Sequence, residues 1–211
     1  MSQDTKEILS IFEQINKVPR CSRDQERICQ WVKQWAQKNN FKYNTDDVEN
    51  VYVKIPASKG YENCPAIIIQ SHMDMVCEKV PELEHDFSKD PIKFVYNGDW
   101  LSADKTSLGA DNGIAMAYAM YMAVDKSLKH PPLELFFTVD EEIGLIGADK
   151  MNPDLLTGRI LLNIDSEDEG IFTVGCAGGN DVEITLPLSF QPRPKNHKVY
   201  EFKADGMRGG H

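Results

Sequence analysis

His72 and Asp74 lie two positions apart where an apolar run ends, in Ala66-Ile67-Ile68-Ile69-Gln70-Ser71-His72-Met73-Asp74-Met75-Val76. In extended chain such positions face the same way, so an imidazole and a carboxylate leave the strand side by side. Buried parallel strands read as continuous apolar runs, and α/β sheets hold ligands beyond the carboxyl ends of such strands. Taken alone, the pair also reads as a solvated strand exit. Two further apolar runs end in acids: residues 133–139 lead into Asp140-Glu141-Glu142-Ile143-Gly144, and residues 159–164 into Asp165-Ser166-Glu167-Asp168-Glu169. Consecutive acids disfavour one another's ionisation unless water or cations surround them. Leu108-Gly109-Ala110-Asp111-Asn112-Gly113 opens a nearly all-apolar segment over 114–124, which predicts a buried helix. Asp111 at its start is either an N-cap or a carboxylate that the helix N-terminus keeps ionised.

If the three strands are neighbours, His72, Asp74, Glu141, Glu142, Asp165 and Asp111 converge at one sheet edge. Several ionised carboxylates in a partly dry cleft are costly, and bound divalent cations remove the objection. One His among carboxylates suits Zn²⁺, Mn²⁺ or Co²⁺ better than Ca²⁺. The acids outnumber what one tetrahedral ion takes, which points to two metals ~3.5–4 Å apart sharing a bridging carboxylate. The chain has no GxSxG elbow, Walker loop or HExxH helix, which removes the commonest serine-hydrolase, P-loop and zincin readings. The pattern leaves a metal-assisted hydrolase against a non-catalytic acidic surface.

The elements that must position these groups are legible in outline. Ile8, Leu9, Phe12 and Ile15 recur at helical spacing and Pro19 closes that segment. Ser22 with Gln25 reads as a capping box opening a second helix, whose Ile28, Trp31, Val32 and Trp35 form a core-facing stripe ended by Asn39-Asn40. Residues 50–55 alternate as a half-buried strand, and 56–65 are a turn-rich connection. Residues 77–99 read as a polar loop with an edge strand around 92–96 and a solvated surface His85. The Gly-rich turn at 175–179 precedes no helix and is weak evidence for phosphate binding. From 181 the texture changes: 182–186 alternates as an exposed antiparallel strand, 191–196 is a Pro-containing turn or linker, and 199–203 is another strand. The chain then stops in a Gly-rich loop, which reads as the start of a second domain cut short.

The composition is that of an ordinary soluble globular protein, 41% hydrophobic and 27% charged over 211 residues. A formal charge of −10 argues against nucleic acid or an anionic membrane as the main partner. The five cysteines form no CxxC pair and suggest neither a thiolate metal cluster nor a disulfide framework; small, mostly buried thiols in a reducing compartment are expected. No signal peptide or membrane-length apolar run is visible, so the cytoplasm is the default location.

Four motifs, Ser71-His72-Met73-Asp74-Met75-Val76, Gly109-Ala110-Asp111-Asn112-Gly113, Asp140-Glu141-Glu142-Ile143-Gly144 and Asn163-Ile164-Asp165-Ser166-Glu167, come in the order of the M20 metallopeptidase family. The surrounding sequence resembles its aminoacyl-histidine (Xaa-His) dipeptidase branch, and the likeness runs over essentially all of residues 5–211. The resemblance implies an α/β fold with a mixed, mostly parallel sheet flanked by helices. Residues 1–180 would be the N-terminal part of the catalytic domain and 181–211 the start of a truncated α+β lid and dimerisation domain. It implies two Zn²⁺ per subunit: His72 and Asp165 on one, Glu142 on the other, and Asp111 bridging with a cis peptide to Asn112. Asp74 would orient His72, Glu141 would be the general base acting on a metal-bridging water, and His211 would reach the substrate from the lid. A distal His ligand and the rest of the lid are missing from the pattern. The implied substrate is a small dipeptide of Xaa-His type, with a tripeptidase, an N-acyl-amino-acid amidohydrolase or a non-catalytic metal-binding relative as alternatives, and a homodimer is the implied assembly.

Overall fold

The computed structural model describes residues 1–166, 169–175, 178, 182–204 and 206. Two compact units divide the chain, Met1–Glu169 and Gly170–His211. The first contains α1 (Gln3–Ile15), α2 (Glu26–Lys38), β1 (Lys42–Thr45), β2 (Val51–Ile55), β3 (Ile67–His72), β4 (Phe94–Asn97), β5 (Trp100–Ala103), α3 (Ala110–Val124), β6 (Leu133–Thr138), α4 (Ile146–Asp149) and β7 (Ile160–Asn163). No helix among the described residues is long and apolar enough to cross a membrane.

The main sheet has the strand order β1-β2-β6-β3-β7. β6, β3 and β7 are parallel, β2 opposes β6, and β1 opposes β2. All strands but β2 therefore run one way, and the exits of β3, β6 and β7 share one edge. This is the mixed, largely parallel α/β sheet expected from the apolar runs. On one face α1, α2 and α3 bury Ile8, Phe12, Ile15, Ile28, Val32, Met116 and Met120 against Val51, Val53, Ile69, Leu135 and Phe137. On the other, Tyr52 stacks on Phe136 beside Ile68, covered by Met151, Leu155 and Leu156. β2 is consequently buried on both faces except at Lys54, not half-buried as its alternation predicts. The outer strand β7 leaves Ile160, Leu161 and Leu162 about half exposed.

Several local expectations change. Ser22 caps no helix: α2 starts at Glu26 behind Gln25, which makes no side-chain cap bond, and the Ser22 hydroxyl turns to Asp74 instead. The edge strand expected near 92–96 is β4, and it pairs with β5 in a separate two-stranded sheet. His85 is only partly exposed, with its ring edge-on to Phe87 and its Nε2 buried. Cys21 and Cys77 are joined in a disulfide across 56 positions, against the expectation of unpaired thiols. Their meeting follows from the bridge between Cys21 and Met75 at the β3 exit, which no spacing rule reveals. Of the others, Cys29 is buried and Cys64 exposed, while Cys176 lies outside the described residues.

In the second unit, the strands expected at 182–186 and 199–203 are absent: these residues form no ladder, and Val182, Ile184, Leu186, Val199 and Phe202 are exposed. An alternating segment becomes a strand only when a partner accepts its backbone bonds. The turn expected within 191–196 is present, closed by His197 N donating to Pro194 O at 3.1 Å. The Gly-rich turn at 175–179 falls largely outside the described residues.

Glu134, 4% exposed in the central strand β6, fixes the loop that feeds β7. Its carboxylate accepts from Thr157 N (2.8 Å), Thr157 Oγ1 (2.7 Å) and Gly158 N (2.9 Å), with Lys54 Nζ at 3.5 Å. Burial alone would raise its pKa, but these donors outweigh it and hold the carboxyl below its ordinary value. A depressed folded-state pKa adds stability above the unfolded value of ~4.3 that is lost as pH falls through the folded value. Glu134→Gln should cost about 1–3 kcal/mol at pH 7 by denaturant titration, and the difference from the parent should shrink as pH falls below ~4.

Candidate metal centre

The imidazole of His72, the last residue of β3, is fully buried. Its Nδ1 lies 3.0 Å from the backbone oxygen of Asp74, which can only accept, so Nδ1 carries a proton and Nε2 faces the acids. Nε2 is 2.8 Å from Asp111 Oδ1, 3.7 Å from Glu141 Oε2 and 3.7 Å from Asp165 Oδ2. Two three-residue groups have donor atoms within 4.8 Å of one another: His72, Asp111 and Glu142, and His72, Glu141 and Asp165. The convergence expected from the strand exits is therefore present, with β3, β6 and β7 supplying His72, Glu141/Glu142 and Asp165.

Each acid is delivered by a distinct local device. Asp111 follows Gly109, which adopts φ +69°, a left-handed conformation that glycine reaches without steric cost. The Asp111–Asn112 peptide is cis, as the resemblance implied. The Asn112 amide donates to Ile164 O at 3.4 Å, tying the start of α3 to the segment carrying Asp165. Asp165 N donates to Asn163 Oδ1 at 2.9 Å, and the Asn163 amide donates to Gln70 Oε1 on β3. Asp140 turns the chain after β6 with φ +51°, its carboxylate accepting from Arg23 N at 2.7 Å.

Asp74 does more than face the imidazole. β3 ends at His72, so Asp74 lies beyond the strand, fully buried, with Oδ1 3.4 Å from His72 Nδ1. The same carboxylate accepts from Glu141 N (3.0 Å), Glu142 N (3.3 Å) and Ser22 Oγ (2.7 Å). One buried anion thus holds both the imidazole and the turn that presents the two glutamates. Burial would raise its pKa, but the bonds from His72, Ser22 and Glu141 prevail and hold it low. For His72, burial acts to lower the pKa, yet Asp74, Asp165 and Asp111 carry it up to about 9. Glu141 is shifted upward by burial and by the charges of Asp165, Glu142 and Asp74, with His72 opposing.

An imidazole ringed by Asp111, Glu141, Glu142 and Asp165 is a donor set able to hold a divalent cation. Once it gives up its proton to an incoming cation, Nε2 has one lone pair and can serve one ion, so a second ion would rest on carboxylates, which can bridge. Motif reasoning did not find Ser22, Arg23 or Arg20. Ser22 carried a false helix-cap signal; Arg20 and Arg23 act through backbone contacts that leave no pattern in sequence. His211 lies outside the described residues.

No family model matches the chain. It is 38% identical over 95% of its length to the cytosol non-specific dipeptidase of Escherichia coli, of which it covers 41%. It is 26% identical over 77% of its length to the uncharacterized protein YqjE of Bacillus subtilis, covering 43% of that protein. The chain thus spans about two fifths of the curated relatives it matches. Among solved structures, the aminoacylhistidine dipeptidase of Vibrio alginolyticus superposes with a TM-score of 0.76 at 39% identity, over 80% of this chain and 35% of that one. A tripeptidase of Staphylococcus aureus shares the fold, with a TM-score of 0.65 at 22% identity over 77% and 44% of the two chains. The likeness in sequence over nearly the whole chain, the shared fold and the motif order agree: the chain resembles the N-terminal portion of aminoacylhistidine dipeptidases, and its motifs come in the order of the M20 metallopeptidases.

Proposed function

We propose that this chain carries the metal-binding part of a metal-dependent dipeptidase acting on small unblocked dipeptides, those with C-terminal His among them. The observation that supports it most is His72 Nε2 facing Asp111, Glu141, Glu142 and Asp165, delivered from separate strand exits and a helix start. In this reading His72, Asp111, Glu142 and Asp165 hold two Zn²⁺ ions, with Mn²⁺ or Co²⁺ as substitutes. Bound ions would supply Lewis acidity toward the scissile carbonyl and lower the pKa of water. Glu141 takes the proton from the attacking water and returns it to the leaving amine. Adjacent Glu141 and Glu142 can divide these tasks because consecutive residues project in different directions. Asp74 keeps Nδ1 of His72 and the backbone of both glutamates in place, so that Nε2 and Glu141 keep their relation as charge shifts.

The same reading assigns His211 to substrate binding, residues 181–211 to the start of a lid and dimerisation domain, a homodimer as the assembly, and the cytosol, named for the Escherichia coli relative, as the location. Glutathione in that compartment would reduce the Cys21–Cys77 disulfide to two adjacent thiols. Alkylation of freshly lysed cells followed by mass measurement should then find both residues modified.

Hydrolysis assays with Zn²⁺, Mn²⁺ or Co²⁺ on Xaa-His dipeptides, tripeptides and N-acyl amino acids test the reading. Dipeptides should be cleaved fastest, and a chelator should abolish turnover. Cleavage of only N-acyl substrates or tripeptides would move the assignment within the family, and loss of no activity under chelation would sink it. Glu141→Gln should lower kcat by about 10²–10⁴-fold at unchanged metal content; activity near that of the parent would remove Glu141 from the role of base.

A further inference from the structure

Arg20 is 1% exposed and reaches between the two segments that carry His72 and Asp111. Nη1 donates to Met73 O (3.1 Å) and Asp74 O (3.2 Å), just past β3. Nη2 donates to Gly109 O (2.5 Å), at the turn into α3, and to Asn16 Oδ1 (3.0 Å). Asn16 in turn donates to Leu108 O at 2.7 Å, and the backbone oxygen of Arg20 accepts from Met75 N at 3.1 Å. The guanidinium is thus pinned to both segments at once. All four acceptors are neutral, and a buried cation without a contacting carboxylate is costly unless charge nearby offsets it. Asp74, Asp111 and Glu142 are the acids that favour its charged form.

The glycines of Gly109-Ala110-Asp111-Asn112-Gly113 record the same contact. A Cβ on Gly113 would stand 2.7 Å from Nη2 of Arg20 and 2.9 Å from Phe12 Cε2, closer than real Cβ atoms come. A Cβ on Gly109 would collide with Nη2 and lie 2.7 Å from Met75 Sδ. Gly109 also needs its positive φ, but Gly113 opens the regular part of α3 after the non-helical Asp111 and Asn112 and has no positive φ that would call for glycine. Space for the guanidinium, together with the Phe12 ring, is the reason the structure offers for glycine at 113.

We propose that Arg20 is a positioning residue for the metal centre: its fork fixes the separation of His72 and Asp111, and Gly109 and Gly113 are small to admit it. The inference rests on the metal-site reading above. Lysine cannot replace it, because an ammonium on one stem cannot serve acceptors in two segments with the guanidinium's planar geometry.

The test is Zn²⁺ affinity, measured on the full chain by competition with a chromophoric chelator, alongside the melting temperature of the metal-free protein. Arg20→Lys and Gly113→Ala should each weaken Zn²⁺ binding about tenfold or more in folded protein, within the range known for outer partners of metal ligands. Ile28→Val, a core change remote from the clamp, should lower the melting temperature and leave the affinity at the parent value. In Arg20→Met/Gly113→Ala the two effects should fall short of additive, because removing the guanidinium lifts one of the two clashes of the new Cβ and leaves the one with Phe12. Should Arg20→Lys not fold, Arg20→Met and its combination with Gly113→Ala decide. Variants that lose stability but bind Zn²⁺ like the parent would reduce Arg20 to a structural residue. A parent chain that takes up no Zn²⁺ would overturn the metal-centre reading, and this inference with it.

Discussion

Concentrated negative charge is what the rest of this structure accommodates. Asp111, Glu141, Glu142 and Asp165 face one imidazole at the edge where β3, β6 and β7 end, and Asp74 lies buried behind it. Like charges at such distances would spread apart in a flexible chain. They stay together because each is held by rigid backbone: Asp165 through Asn163 and Gln70, Asp111 through the turn at Gly109, and both glutamates through their amides on Asp74. A fixed cluster of acids with one imidazole is preorganised for cations, since the work of assembling it is done during folding.

The packing explains how the scaffold withstands that charge. Three helices cover one face of the sheet, and Tyr52, Ile68 and Phe136 with their neighbours seal the other. β3 and β6, which deliver His72 and the two glutamates, are therefore locked by burial, while β7 is held at the sheet edge with its apolar residues half exposed. Arg20 belongs to the same economy of charge: a cation enclosed by carbonyls, within the field of Asp74, Asp111 and Glu142. It joins the two segments whose relative position matters most to the cluster.

Motif residues and their supports stood in sequence with very different clarity. The apolar runs ending in His72 and Glu141 are readable because a strand buried on both faces must be continuously apolar; the run before Asp165 has the same apolar character, although the outer strand β7 leaves it half exposed. The buried helix after Asp111 was readable for the same reason. Ser22, followed three positions later by Gln, carries the pattern of a helix cap, yet its hydroxyl takes Asp74 as its partner. Residues 182–186 and 199–203 were misread because alternation describes a face and not the strand that must pair with it.

By itself, then, the sequence determined which residues could ligate a cation, the order in which strands and helix present them, and the likeness to a metallopeptidase family. These follow from local periodicity and residue type. Tertiary structure alone decided that Asp74 binds the backbone of Glu141 and Glu142 as well as facing His72. It also decided that Cys21 meets Cys77, and that Arg20 fills the space left by Gly109 and Gly113. Those contacts join positions some 50 to 90 apart in the chain, where burial and hydrogen-bond satisfaction choose partners that spacing cannot encode.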